Sequence, residues 1–129
     1  MADVSKDLDQ IAEKIIALTQ EVHKVIGPGC RSEAYRNALA IELEKADVDT
    51  TVETEIEVKY KGSVIDEYPV DIIAGGVIVV IHAKVEMEDR DFLRVQAHLK
   101  MSDYSLAVLI NFGNKVEERK VTGKSLFSF

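Results

Sequence analysis

Two short runs, residues 77–83 ("VIVVIHA") and 104–112 ("YSLAVLINF"), are apolar at nearly every position. A strand with one wet face alternates between apolar and polar side chains. A strand that is apolar throughout needs cover on both faces. The segment between them, residues 90–102, spaces Phe92, Val95 and Leu99 for one face of a helix. Strand, helix, strand is a crossover unit, which places two buried strands in one sheet with helices packed against it.

The remaining elements fall into place around that unit. Residues 4–26 carry Leu8, Ile11, Ile15, Leu18, Val22 and Ile26 at three- and four-residue steps, the pattern of an amphipathic helix. "GPG" at 27–29 stops it, because glycine reaches left-handed geometry and proline cannot continue the hydrogen-bond ladder. A second helix runs over 32–46, with Ser32 as the expected N-cap and Tyr35, Ala38, Leu39 and Leu43 as its apolar side. Residues 51–60 alternate, with Val52, Thr54, Ile56, Val58 and Tyr60 expected on one face and Glu53, Glu55, Glu57 and Lys59 on the other. "KG" at 61–62 turns into a strand over 63–74, and Gly75-Gly76 turns into the first apolar run. "VEERKVT" reads as a last edge strand. The order is ααβββαββ, an α/β fold with a mixed sheet flanked by helices.

With 129 residues, 47% of them hydrophobic, the chain has the length and apolar content of one domain with a real core. The core is expected over about residues 8–121, and 122–129 as a C-terminal tail. No run of 18 apolar residues is present, so no membrane span is expected. The polar, acidic start lacks the charge and apolar pattern of a signal peptide. A single cysteine, Cys30, fits a reducing cytoplasm. The net charge of −7 disfavours nucleic acid as a partner, because nonspecific binding depends on Lys and Arg neutralising phosphates.

The chemistry concentrates in "YPVDIIAGGVIVVIHAK", residues 68–84, where two apolar strands hold Asp71, His82 and Lys84. This stretch, together with Gly27-Pro28-Gly29 followed by Tyr35, Ala38 and Leu39, and with the later "LINFG" at 109–113, resembles the small GxxExxY proteins. Those are a branch of the PD-(D/E)XK nuclease-like superfamily. The resemblance covers roughly residues 8–121 and implies a restriction-endonuclease-like core. It also implies a divalent metal in members whose site is intact. Magnesium is a hard cation that takes carboxylate, water and phosphate oxygens. A lysine two residues after the strand glutamate shares its face and can orient the attacking water.

Carried over position by position, the resemblance assigns Asp71 to the family's aspartate. The glutamate of the E-x-K pair falls at Val80, its lysine at His82, and the helix glutamate at Ser32. A glutamine and a tyrosine of the third helix fall at Arg94 and His98. One of four central positions survives. A lone carboxylate holds magnesium poorly, and an imidazole is mostly neutral at pH 7, with an ordinary pKa of about 6.5. Two neighbours offer a route to a rebuilt site. Glu33 lies one helical step from the expected glutamate, rotated by about 100°. Lys84 lies two residues past the expected lysine, about 6–7 Å along the strand.

Plainer readings stand beside these. Asp71 as a vestige needs a hydrogen-bond partner, for which His82 is the nearest candidate in sequence. His82 with Asp71 and His98 as transition-metal ligands lacks recognisable spacing. His23 is expected to face solvent, Cys30 to be a small packed residue, and "EMEDRD" at 86–91 to be a solvated loop.

The sequence therefore points to a non-catalytic binding or self-assembly protein on a nuclease-like fold, and leans against an enzyme. No cofactor is expected. The partner would be a second copy or another protein, engaged in part through Leu126, Phe127 and Phe129 of the tail. The alternative is a divergent magnesium- or manganese-dependent nuclease acting on DNA or RNA, with Asp71 as metal ligand and Glu33, His82 or Lys84 assisting. A nucleic-acid binder without cleavage is a third, weaker reading.

Overall fold

The structure is a computed structural model and describes residues 4–123. Its elements are α1 (Val4–Ile26), α2 (Ser32–Lys45), β1 (Thr50–Tyr60), β2 (Ser63–Ala74), β3 (Val77–His82), α3 (Asp89–Lys100), β4 (Leu106–Phe112) and β5 (Val116–Thr122). The five strands form one sheet in sequence order. β3 and β4 are parallel, as a helical crossover requires, and every other pair is antiparallel. The α/β architecture and the element order agree with the sequence expectation.

The two apolar runs do what their composition demands. Val77, Val79 and Ile81 of β3 join Leu106, Val108, Ile110 and Phe112 of β4 in a cluster with α1 and α2. Ile78, Val80, Ala107 and Leu109 face the other way and pack with Val95 and Leu99 of α3. The fold is thus a helix–sheet–helix sandwich, with α1 and α2 on one face and α3 on the other. No helix among the described residues is long and apolar enough to cross a membrane.

Two local devices fix α1 and α2 against the sheet. Gly75 and Gly76 take φ of 56° and 88°, as a two-residue hairpin turn requires. A Cβ on Gly75 would lie 2.7 Å from Ile11 Cδ1, so glycine also permits α1 to approach the turn. Tyr35 stacks on Phe112 at 4.3 Å between ring centroids. Its hydroxyl donates to the Gly27 carbonyl at 2.6 Å and accepts from the Cys30 N–H at 3.2 Å. The tyrosine therefore ties the "GPG" loop to the core.

β1 departs from simple alternation. Val52 and Ile72 pack in the cluster beneath α1 and α2, whereas Ile56 and Val70 pack in the cluster beneath α3. Strict period-two geometry would keep each strand's pair on one face. The change occurs where the ladder passes from Val52↔Ile72 to Thr54↔Val70, leaving Glu53 and Asp71 unpaired at the same level. Glu53 takes φ 54°, a left-handed value outside the strand region. Beyond this crossing the β1–β2 hairpin is an arm tied to the end of α3: the Lys59 N–H donates to the Met101 carbonyl, and the Lys59 ammonium pairs with Asp103 at 2.8 Å.

Candidate functional site

β2 and β3 share only the pairs Ile72↔Val79, Ile73↔Ile78 and Ala74↔Val77, after which they diverge into a fork. Asp71 is the first residue of β2 past the last pair. Its Oδ2 accepts the Ile81 N–H at 2.7 Å, so the carboxylate replaces the ladder bond that divergence removes. Asp71 has a partner, as a half-buried carboxylate requires. That partner is the backbone of Ile81 and not the His82 ring expected from the sequence. Burial pushes the Asp71 carboxyl up from its ordinary value, and the Ile81 N–H, the Arg36 guanidinium and His82 act in the opposite direction.

The neighbouring positions offer little to a cation. Val80 is buried in the α3-side cluster. His82 is half-buried, and that burial lowers its pKa, so it is neutral at pH 7. Glu33 is fully exposed, and its carboxylate accepts a hydrogen bond from the Ser32 hydroxyl at 3.1 Å. Its ionised form is favoured first by its own backbone N–H, then by that hydroxyl and by Arg31. Ser32 makes no cap: the residue preceding α2 is Arg31, with no side-chain capping bond.

Lys84 is engaged elsewhere. Its ammonium lies 2.7 Å from Oδ2 of Asp91, whose side chain is only 4% exposed. The same Asp91 oxygen accepts the Glu88 N–H at 2.9 Å, closing a capping box at the start of α3. Lys84 first, then that N–H, hold the Asp91 carboxyl below its ordinary value. The "EMEDRD" segment is therefore not solvated throughout, because its last residue is a buried acid that anchors a helix. The chain path that brings Lys84 there is held by Asn111, which is fully buried in β4. Asn111 Oδ1 accepts the Lys84 N–H at 2.9 Å, and its Nδ2 donates to the Lys84 carbonyl at 3.0 Å and to Glu117 at 3.1 Å. The amide extends the β3–β4 pairing two residues past its last rung. The sequence signal for this was present: a single asparagine inside an otherwise apolar strand.

His98 stacks on Tyr68 at 3.8 Å and bonds the Arg94 carbonyl through Nδ1 at 2.7 Å, so it forms no ligand set with Asp71 and His82. His23 does not face open solvent: its Nε2 lies 3.0 Å from the Gly113 carbonyl, beside Phe112. Cys30 is exposed, not packed. Leu126, Phe127 and Phe129 lie outside the described residues.

A residue missed by sequence reasoning completes the fork. Arg36 of α2 has a side chain only 12% exposed, and its Nη1 lies 3.0 Å from Oε1 of Glu53. Arg36, Glu53, Glu55 and Asp71 line one open cleft of about 370 Å³. Of the three carboxylates lining the cleft, Asp71 is already bonded to a backbone N–H and Glu53 is paired with Arg36, while the facing positions on β3 are valine and a neutral imidazole. No group of three or more His, Cys, Asp or Glu among the described residues is arranged to hold a metal ion. These residues do not fit a hard divalent cation.

Residues 9–122 match the family profile described as the PD-(D/E)XK nuclease superfamily. No curated protein matches the chain. Three chains of solved structures match it. One of them, "Crystal structure of SSO0001", is 14% identical over 87% of this chain and 77% of that chain, with a TM-score of 0.45.

Proposed function

The chain belongs to the PD-(D/E)XK nuclease superfamily, and from that premise we propose that it is a non-catalytic member, a binding or self-assembly module in the cytoplasm. One observation carries this reading. The surviving aspartate, Asp71, is bonded to the Ile81 N–H between a buried valine and a neutral histidine, where catalysis needs a second carboxylate and a permanent cation. Losing one electrostatic catalytic group commonly costs about 10²–10³ in rate. Three central positions are altered here. The finer placement among the GxxExxY proteins, with a degenerate site, rests on Gly27–Gly29, Tyr35, Tyr68, Asp71 and the 109–113 segment. Its support is that Tyr35 and Asn111 do framework work that does not depend on catalysis.

The alternative, a divergent magnesium- or manganese-dependent nuclease, draws on Glu33, whose charge acts on Asp71 from α2. It must do without Lys84, which is paired with Asp91. The test is incubation of the purified chain with single- and double-stranded DNA and RNA in magnesium or manganese, alongside light scattering for assembly state. We expect no cleavage and a self-associated species or a retained protein partner. Cleavage that disappears in Asp71→Ala would overturn the reading.

A further inference from the structure

We propose that Arg36 supplies, from within the chain, the positive charge that a divalent ion would bring to the β2–β3 fork, and so holds the site closed to metal. This rests on the reading above that the fork has lost its metal chemistry, and it names the residue that replaced the ion.

Three observations converge. The Arg36 side chain is largely buried, unusual for a charged group unless it is paired. It has two partners: Glu53 takes Nη1 at 3.0 Å, and Nε donates to Asn37 Oδ1 at 3.1 Å. It lines the same cleft as Asp71. Glu53 is itself placed with care, since it lies at the level of Asp71 across the ladder and holds a left-handed φ that costs energy in a non-glycine residue. The cleft beside the fork thus has an acid from β1 and an acid from β2, with a guanidinium from α2 beside them. The Arg36 charge also favours the ionised forms of both Asp71 and Glu33.

A guanidinium is charged at all working pH values and presents several donors in a fixed plane. It therefore neutralises carboxylates as a metal would, but offers no exchangeable water and no open coordination position. A dication entering the cleft would face a like charge.

Manganese titration by calorimetry at low ionic strength tests this, using the wild-type chain, Arg36→Ala, Arg36→Lys and the double variant Arg36→Ala/Asp71→Asn, each checked for fold by circular dichroism. The wild-type chain and Arg36→Lys should show no saturable binding. Arg36→Ala should show saturable manganese binding, with an affinity about tenfold or more above the limit set by the wild-type titration, the scale of removing one like charge near a dication in a water-screened cleft. The double variant should lose that gain. If Arg36→Ala does not fold, Arg36→Gln, which keeps a polar side chain without charge, carries the same expectation. No gain on removing the charge, a gain that survives loss of the Asp71 charge, or an equal gain in Arg36→Lys would each overturn the proposal. Cleavage by the wild-type chain would instead overturn the reading of function, so the two failures are separable.

Discussion

Replacing Asp71 by Asn and by Ala separates its charge from its hydrogen bond. Ile81 is 4% exposed, and its N–H has Asp71 Oδ2 as acceptor at 2.7 Å. Asp71→Ala leaves that donor without its acceptor beside a half-buried position. An unsatisfied buried donor costs about 1–3 kcal/mol, and the half-open setting favours the lower part, about 1–2 kcal/mol. For a chain of this size that lowers Tm by about 3–10 °C. Asp71→Asn keeps an acceptor oxygen and removes a charge that burial disfavours. The sign follows from linkage. The native pKa is raised above its ordinary value of 3.8, so the native state holds the proton more tightly than the unfolded chain. Ionised Asp71 is then a cost to stability that is absent below about pH 3.8 and fully present once pH exceeds the raised native value. Asp71→Asn should therefore equal or exceed the wild-type chain at pH 7, and the two should converge as pH falls toward 3.8. Urea denaturation of all three proteins at pH 7 and pH 4 measures this. If Asp71→Asn falls as far as Asp71→Ala at pH 7, the charge itself is stabilising and the argument from burial is wrong.

Three further outcomes are expected. Lys84→Ala strands Asp91 as a buried, unpaired acid and should cost about 2–3 kcal/mol, a figure reduced from the fully buried case because Lys84 is partly in water. Because the Asp91 pKa is depressed, the stability it contributes is complete above its ordinary value of 3.8 and is lost as pH falls through the native value, so the Lys84→Ala deficit should shrink in acid melts. Asn111→Leu removes three hydrogen bonds at once and leaves the Lys84 backbone without its partner, for a loss of about 2–3 kcal/mol in chemical denaturation. Gly75→Ala forces a methyl group against Ile11 and a left-handed φ on alanine, costing about 1–3 kcal/mol, and Ile11→Ala in the same chain should recover part of it in a thermal melt.

The fold was largely legible because its strongest signals are periodic. Unbroken apolar runs become the two central strands, and the helix between them becomes the crossover that makes them parallel. The fork was legible only in part. Asp71 stands out as an acid in an apolar run, but its partner depends on where β2 and β3 part, which no local pattern encodes. Asp91 looks like one more charge in an acidic loop. Its burial is a consequence of Lys84 arriving over it, along a path set by Asn111 from another strand. Arg36 and Glu53 each read as a solvated position on an alternating or amphipathic face. They meet because a single left-handed residue turns β1 over, and propensity treats that position as ordinary strand.

Only three rungs stitch β2 to β3, whereas the hairpin on one side and the β3–β4–β5 block on the other are each bound along most of their length. The sheet is therefore two plates joined at a short seam, with Asp71 as the clasp at its open end. A pull on the hairpin tip would first load the Lys59 tie to the end of α3 and, once that gives, concentrate at the clasp and part the plates there while both remained intact.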